Sequence, residues 1–343
     1  MESTETTQKR TVLVLFGGES AEHEVSILSA QNLYAALDTQ EVVPILCYID
    51  RQGAWWQADG VAELEKPTVP ITPILGSAQI KVGEELVSID VIFPVLHGTN
   101  GEDGAVQGLA RLLHVPVVGC GLDGSVICID KVLAKQLLEA ATIPVVPYAT
   151  FNASNAEKAV YGELASKLGY TLFVKPVRQG SSVGVHKVQN GVELKAAILD
   201  ALQYDRDVLI ESAVSKAREL EVAVLGLSHD SKASVVGEIV PDRDFYDYAS
   251  KYDSDSTSKV VIPAAISPEV AERIRAYAVQ AFEVLHCQGL ARIDFFLDGS
   301  GNVFLNEVNT MPGFTNISMY PKLWEATGLP YKQLVATLID QAE

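Results

Sequence analysis

The chain is short of cationic side chains: 26 Lys and Arg stand against 44 Asp and Glu in 343 residues, a net charge of −18. A nucleic-acid backbone is held by basic patches, so a nucleic-acid partner is excluded. Cysteine is scarce too. Cys47, Cys120, Cys128 and Cys287 show no C-x-x-C spacing and lie in apolar contexts, which reads as reduced core thiols of a cytosolic protein. The opening MESTETTQKR has no apolar core of a signal peptide, and no run reaches the length of a membrane span. The expectation is a cytoplasmic protein with no membrane partner. The dinucleotide fingerprint G-x-G-x-x-G is missing after the first apolar run, where only Gly17-Gly18 stands. A dehydrogenase is therefore disfavoured.

What is present is a hydrophobic fraction of 48%, ordinary for a globular protein, and length enough for two or three domains. The most informative stretch is LARIDFFLDGSGNVFLNEVNTMPGFT, Leu290 to Thr315. It predicts two apolar strands joined by the Gly-containing turn Asp298–Gly301. Strand side chains alternate faces, so Glu307 and Asn309 point the same way, and the hairpin sets Asp294 roughly opposite them. Oxygen donors gathered without His or Cys suit Mg²⁺, which completes its shell with water and phosphate oxygens. Acidic residues on a hairpin are more often a solvated face. Phe295, Phe296, Val303, Phe304 and Leu305 argue otherwise, because they make this hairpin mostly buried and a buried carboxylate needs a partner. A nucleotide-dependent enzyme is the first inference.

The first third alternates strand and helix. Thr11–Phe16, Glu41–Ile49, Asp90–Leu96 and the shorter Val115–Gly119 have the composition of buried strands. Ile27, Ala30, Leu33, Tyr34 and Leu37, then Val106, Leu109, Ala110 and Leu113, recur at helical spacing. That alternation predicts an open parallel sheet with ligands at the carboxyl ends of its strands, where GGESAEHEVS and HGTNGEDG fall. Glu22 is read two ways, as a helix cap or as a ligand-binding carboxylate.

In the middle, Asp130 is a fair N-cap with Lys131 at the helix start, a poor place for a cation unless an anion sits there. Tyr170–Val188 reads as strand, Gly-Ser loop and strand, with Lys175 as a phosphate partner and small residues free to wrap an anion. Val208–Ser212 and Arg218–Leu227 are further strands. Pro241–Ala264 lacks apolar periodicity yet holds Phe245, Tyr246, Tyr248 and Tyr252, which argues for a lid. Ser267-Pro268 opens a helix.

Together GGESAEHEVS, VLHGTNGEDGAVQG, VKPVRQGSSVGV, FYDYASKY, GLARIDFF and LNEVNTMPGFTNISMYP resemble, in order and spacing, the D-alanine–D-alanine ligases of the ATP-grasp superfamily. The resemblance implies an α/β (α+β) fold in three domains. These are an N-terminal open parallel domain at 11–125, a central ATP-grasp subdomain at 126–215 and a C-terminal one at 216–343 carrying a lid at 241–262. It implies a cytoplasmic enzyme and, since relatives are usually homodimers, a homodimer. It also implies ATP and Mg²⁺ or Mn²⁺, two ions per site, as cofactors, and formation of D-alanyl-D-alanine for peptidoglycan precursors.

Position by position, the resemblance makes Asp294, Glu307 and Asn309 the metal ligands and Lys131, Lys175 and Lys251 the phosphate lysines. Ser181 and Ser182 match the Gly-Ser loop. Glu211, Ser212, Ala213, Val214 and Glu219 match adenine and ribose contacts, with Phe173, Phe296 and Asn306 walling that pocket. Glu22 matches the residue for the first D-alanine's ammonium, and with Ser181 and Tyr252 a hydrogen-bonded latch. Arg292 and the Gly313 N–H match the oxyanion site, Ser318 and Met319 the second D-alanine's carboxylate, and His97 a substrate-side residue of open role. Ala249 and Ser250 depart from the Glu-Ala commonly found before the Lys-Tyr pair, and Gln179 stands where Glu or Met is frequent. Tyr252 favours an amine nucleophile over D-lactate, while D-serine remains an alternative acceptor. A non-catalytic ATP-binding protein on the same fold is the rival of another class.

Overall fold

The computed structural model describes residues 9–61, 68–240, 259–315 and 317–342. Strands β1 (Arg10–Gly17), β2 (Val42–Ile49) and β3 (Trp55–Gln57) are followed by a separate antiparallel meander of β4 (Ile71–Ile74), β5 (Gln79–Val82) and β6 (Glu85–Ser88). β7 (Val91–Val95) returns to the first sheet, whose order is β3-β2-β1-β7, with β1 parallel to both β2 and β7. Val12 to Phe16 are wholly buried, as befits a central parallel strand covered on both faces. The predicted parallel sheet is therefore present, with β3 added antiparallel at its edge.

One expected strand is nearly lost. Val115–Gly119 shrinks to a single parallel bridge between Val117 and Ile92. Pro116 has no N–H to extend the ladder, and Gly119, at φ +98°, turns the chain away.

The second sheet joins β8 (Tyr148–Asn152), β9 (Leu172–Pro176), β10 (His186–Val188) and β11 (Asp207–Ser212) in the antiparallel order β10-β9-β11-β8. Leu172, Val174 and Ile210 on its inner face bury against Ala197, Ile198 and Ala201 of helix Gly191–Tyr204. The third sheet holds β12 (Arg218–Leu227), β13 (Lys232–Ala233), β14 (Gly237–Val240), β15 (Lys259–Val261), β16 (Gln288–Leu297) and β17 (Val303–Asn309). Its order is β15-β14-β12-β16-β17, with β13 also on β12. Helix Pro268–Val284 starts as expected, Ser267 capping Val270 N–H and Pro at the first turn, and seats Ile274, Ala278, Ala281 and Phe282 on this sheet's core.

Helices Met319–Thr327 and Tyr331–Asp340 close the chain against its beginning. Tyr320, Leu323, Leu334 and Leu338 share one core with Val12, Val14 and Phe93 of the first sheet. Among the described residues no helix is long and apolar enough to cross a membrane.

Candidate active site

The third sheet writes the site through its register. Glu221 on β12 stands opposite Asp294 on β16, which stands opposite Glu307 on β17. One pleat along, Arg292 stands opposite Asn309. With a period of two, these side chains leave the same face while Ile293, Phe295, Leu305 and Val308 enter the core. The pairing slips between Asp294 and Phe295, because Phe295 partners Leu305 and leaves Asn306 as the extra residue of a bulge. The bulge re-aims Asn306 toward the same cleft as Phe296.

Like charges at adjacent positions repel, so the row needs cations. Arg292 supplies one: Nε donates to Asp294 Oδ1 at 2.8 Å and Nη2 to Oδ2 at 2.7 Å, and Nε lies 3.1 Å from Glu221. Burial opposes its charge, but Asp294 and Glu221 hold its pKa well above the ordinary arginine value. Asn309 Nδ2 donates to Asp294 Oδ2 at 2.9 Å, which leaves its carbonyl oxygen as the atom able to serve a cation.

These residues line a cavity of about 680 Å³ between the second and third sheets. From the second sheet's side come Lys175 on β9 and the loop Gln179–Ser182. Ser181 and Ser182 sit in the left-handed region at φ +51° and +61°, a conformation that turns successive backbone N–H groups to one side. Lys131 closes the same wall. Asp130 caps its helix by accepting from Val132 and Leu133 N–H, while Arg178 Nη1 grips the cap's other oxygen at 2.8 Å. Lys131 Nζ donates to the Gln179 carbonyl at 2.6 Å, tying helix to loop. Burial pushes the Lys131 ammonium below its usual pKa, although Glu307 works against that.

Lys175 is held differently. Its Nζ lies 2.5 Å from Glu211, whose other oxygen lies 2.7 Å from Lys135, in a buried triad that the sequence did not announce. Burial alone would raise Glu211, but Lys135 and Lys175 outweigh it and hold the carboxyl at about 2. Burial alone would lower Lys175; Glu211 outweighs it and keeps the ammonium above its ordinary value.

At the first sheet, Glu22 occupies the N-cap position of helix His23–Ala36 but makes no side-chain cap hydrogen bond, and it lines the cavity. His97 is buried. With its proton on Nδ1 it donates to the Met311 carbonyl at 3.1 Å, and Nε2 accepts from the Ser29 hydroxyl at 3.1 Å. Phe314 N–H donates to that same hydroxyl at 3.2 Å. Burial lowers the His97 pKa, so the ring is neutral and braces the Met311–Phe314 turn. That turn carries Gly313, whose absent Cβ would lie 2.6 Å from Ser318 Oγ.

Of the residues expected in the site, Glu22, His97, Lys131, Lys175, Ser181, Ser182, Glu219, Arg292, Asp294, Phe296, Asn306, Glu307, Asn309, Gly313, Ser318 and Met319 line this one cavity. Phe173, Glu211, Ser212, Ala213 and Val214 are not part of its lining: Phe173 lies opposite Glu211 across β9 and β11, and Ala213 N–H is engaged by the Thr171 carbonyl. Lys251 and Tyr252, with most of the expected lid, lie outside the described residues. Sequence reading missed Glu102, Glu221 and Lys322 in the lining and Lys135 behind it. Glu221 was legible, since Glu219 and Glu221 are two apart on one strand.

Among the described residues no three His, Cys, Asp or Glu side chains gather as a metal cluster. The donor set here is instead two carboxylates and an amide on one face of two paired strands, hard oxygens of the kind Mg²⁺ takes when phosphate and water supply the rest. The residues fit the ion.

A cleft between two antiparallel sheets, with lysines and a Gly-Ser loop on one wall and a carboxylate face on the other, defines an ATP-grasp enzyme. The sequence profiles described as D-ala D-ala ligase N-terminus and C-terminus match residues 11–120 and 137–340. The chain is 44% identical to D-alanine–D-alanine ligase A of Escherichia coli K12, covering 98% of this chain and 96% of that protein. It is 45% identical to D-alanine–D-alanine ligase of Shouchella clausii, covering 97% and 95%. Among solved structures, the D-alanine–D-alanine ligase of Coxiella burnetii superposes with a TM-score of 0.88 at 38% identity, covering 97% of this chain and 93% of the other. The VanG D-Ala:D-Ser ligase of Enterococcus faecalis does so at 0.89 and 37%, covering 97% and 99%. The chain belongs to the D-alanine–D-alanine ligase family, whose members are ATP-dependent ligases.

Proposed function

We propose that this protein joins two D-alanines into D-alanyl-D-alanine at the expense of ATP, through a D-alanyl phosphate, as a cytoplasmic step of peptidoglycan precursor synthesis. The observation that supports this reading most is the convergence of Arg292, Asp294, Glu307 and Asn309 with Lys131 and Lys175 in one cavity. Residues 11–125, 126–215 and 216–343 act as the three domains, and the cavity is where they meet.

A carboxylate is a poor electrophile until its oxygen becomes a good leaving group. Lys131 and Lys175 meet the phosphates of ATP and neutralise charge as the terminal phosphoryl passes to the first D-alanine. Asp294, Glu307 and Asn309 would hold Mg²⁺, which when bound would supply Lewis-acid neutralisation of phosphate oxygens. Glu22 receives the first D-alanine's ammonium. Arg292 and the Gly313 N–H face the oxyanion formed when the second amine attacks, a donor contribution of about 3–4 kcal/mol each when well aligned. Ser318 and Met319 hold the second substrate's carboxylate.

D-Serine as second substrate is the other reading, supported by the likeness to VanG. The deciding experiment mixes the protein with ATP, Mg²⁺ and D-alanine, then with L-alanine, D-serine or D-lactate, measuring phosphate and the coupled product. The reading requires D-alanine-dependent phosphate release with dipeptide formed. Nucleotide binding without such release would leave a binding protein on the same fold.

A further inference from the structure

The loop between β7 and helix Ala105–Leu113 drives one carboxylate into the cavity that the assignments above leave unused. Its construction is tight. Gly101 and Glu102 N–H both donate to the Gly98 carbonyl, at 3.1 and 3.0 Å. Gln107 Nε2 donates to the Gly101 carbonyl at 2.8 Å from a buried position. A Cβ on Gly101 would lie 2.1 Å from the Leu96 carbonyl oxygen, so only glycine fits there. Asp103 caps the turn from both sides, accepting from Asn100 N–H at 2.9 Å and Ala105 N–H at 3.1 Å. The residue this scaffold presents to the cavity is Glu102.

Charged groups of both signs bear on it. Glu22 at the start of the first helix and Glu307 on β17 oppose its ionisation, while Arg292 on β16 favours it; Lys131, from its own helix, also lies within electrostatic reach. Burial first, then Glu22, pushes the Glu102 carboxyl up to about 8. A carboxyl crowded in this way gains most when a further cation enters.

The proposed reaction brings in two ammonium groups, and only one carboxylate, Glu22, has been matched to either. Glu102 lines the same cavity as Arg292, the residue that in the reading above marks where the acyl carbon lies when attacked. The amine that attacks that carbon arrives beside it. We propose that Glu102 is the residue that receives the amino group of the second amino acid and selects an amine over a hydroxyl acceptor. This rests on the ligase reading above. Glu22 lines that cavity too, so an ammonium entering it relieves the repulsion between the two carboxylates, whereas a hydroxy acid in the same place offers no charge to either.

The test compares wild type with Glu102→Gln and Glu102→Asp in the full chain, fitting both D-alanine Michaelis constants and the product ratio with D-alanine and D-lactate competing at fixed pH. Expected for Glu102→Gln is a rise of roughly ten- to a hundredfold in the second-site KM, the scale of a lost charged hydrogen bond. The first-site KM and the KM for ATP stay within about threefold, the depsipeptide share increases, and Glu102→Asp partly restores wild-type values. An unchanged second-site KM, or a rise confined to the first site, overturns the assignment. Wild type lacking D-alanine-dependent turnover would instead overturn the ligase reading itself, so the two failures are distinct. A uniform loss in kcat with both product share and KM values unchanged would mark Glu102 as structural and also overturn it.

Discussion

Arg292 grips Asp294, two residues along the same strand, through Nε and Nη2 on one edge of its guanidinium, at 2.8 and 2.7 Å. In the proposed reaction one carboxylate thereby serves two ends: it orients the cation assigned to the oxyanion and offers oxygen to the proposed metal face. Lysine retains charge but cannot make the two-pronged contact. Arg292→Lys should lower kcat by roughly a hundredfold or more, with the KM for ATP changed far less. Steady-state phosphate release checks this; equal losses in both parameters would mean that Arg292 holds the nucleotide instead.

Glu211 is clamped between Lys135 and Lys175, and each lysine predicts a different outcome. Removing one partner of a buried pair costs about 3–5 kcal/mol. Lys135→Met should therefore destabilise the fold, read by urea unfolding, while sparing the KM for ATP. Lys175→Met should raise that KM at least tenfold.

The same clamp sets an acid limit. Glu211 is held at about 2 in the folded protein against an ordinary glutamate value of 4.5. A depressed carboxyl stabilises the fold above its unfolded pKa and loses that contribution as pH falls toward the folded one. Stability should decline between about pH 4.5 and 2. Glu211→Gln, already destabilised at pH 7, should show a shallower decline over that window; an identical slope would contradict the assignment.

Ser182 holds φ +61°, next to Ser181 at +51°. A serine in the left-handed region costs on the order of 1 kcal/mol, which glycine avoids. Ser182→Gly should raise the melting temperature slightly and raise the KM for ATP several-fold, because a looser loop holds phosphate less well. A lower melting temperature would show that the serine hydroxyl outweighs the strain.

What the sequence disclosed follows from local periodicity. Glu307 and Asn309 share a face because they are two apart, and Asp130 caps its helix because it precedes Lys131 without an intervening residue. Ser267-Pro268 announced its helix for the same local reason. What stayed hidden depends on distant chain. The Asn306 bulge is a property of pairing between two strands, and no single-strand pattern records it. Lys135 looks like an ordinary helix lysine until Glu211, from a strand over seventy positions later, meets it. His97, expected beside substrate with its role open, turns out to brace Met311 from 214 residues away. The β4–β6 meander escaped notice because its strands are only four residues long, too short to show a period.

The metal face is tested most directly by counting bound Mn²⁺ by electron paramagnetic resonance, with and without a non-hydrolysable ATP analogue. The account predicts nucleotide-dependent Mn²⁺ binding in wild type and in Lys135→Met, and its loss or at least tenfold weakening in Glu307→Gln and Asn309→Ala. Undiminished Mn²⁺ binding in both of those variants, with the nucleotide still bound, would contradict it.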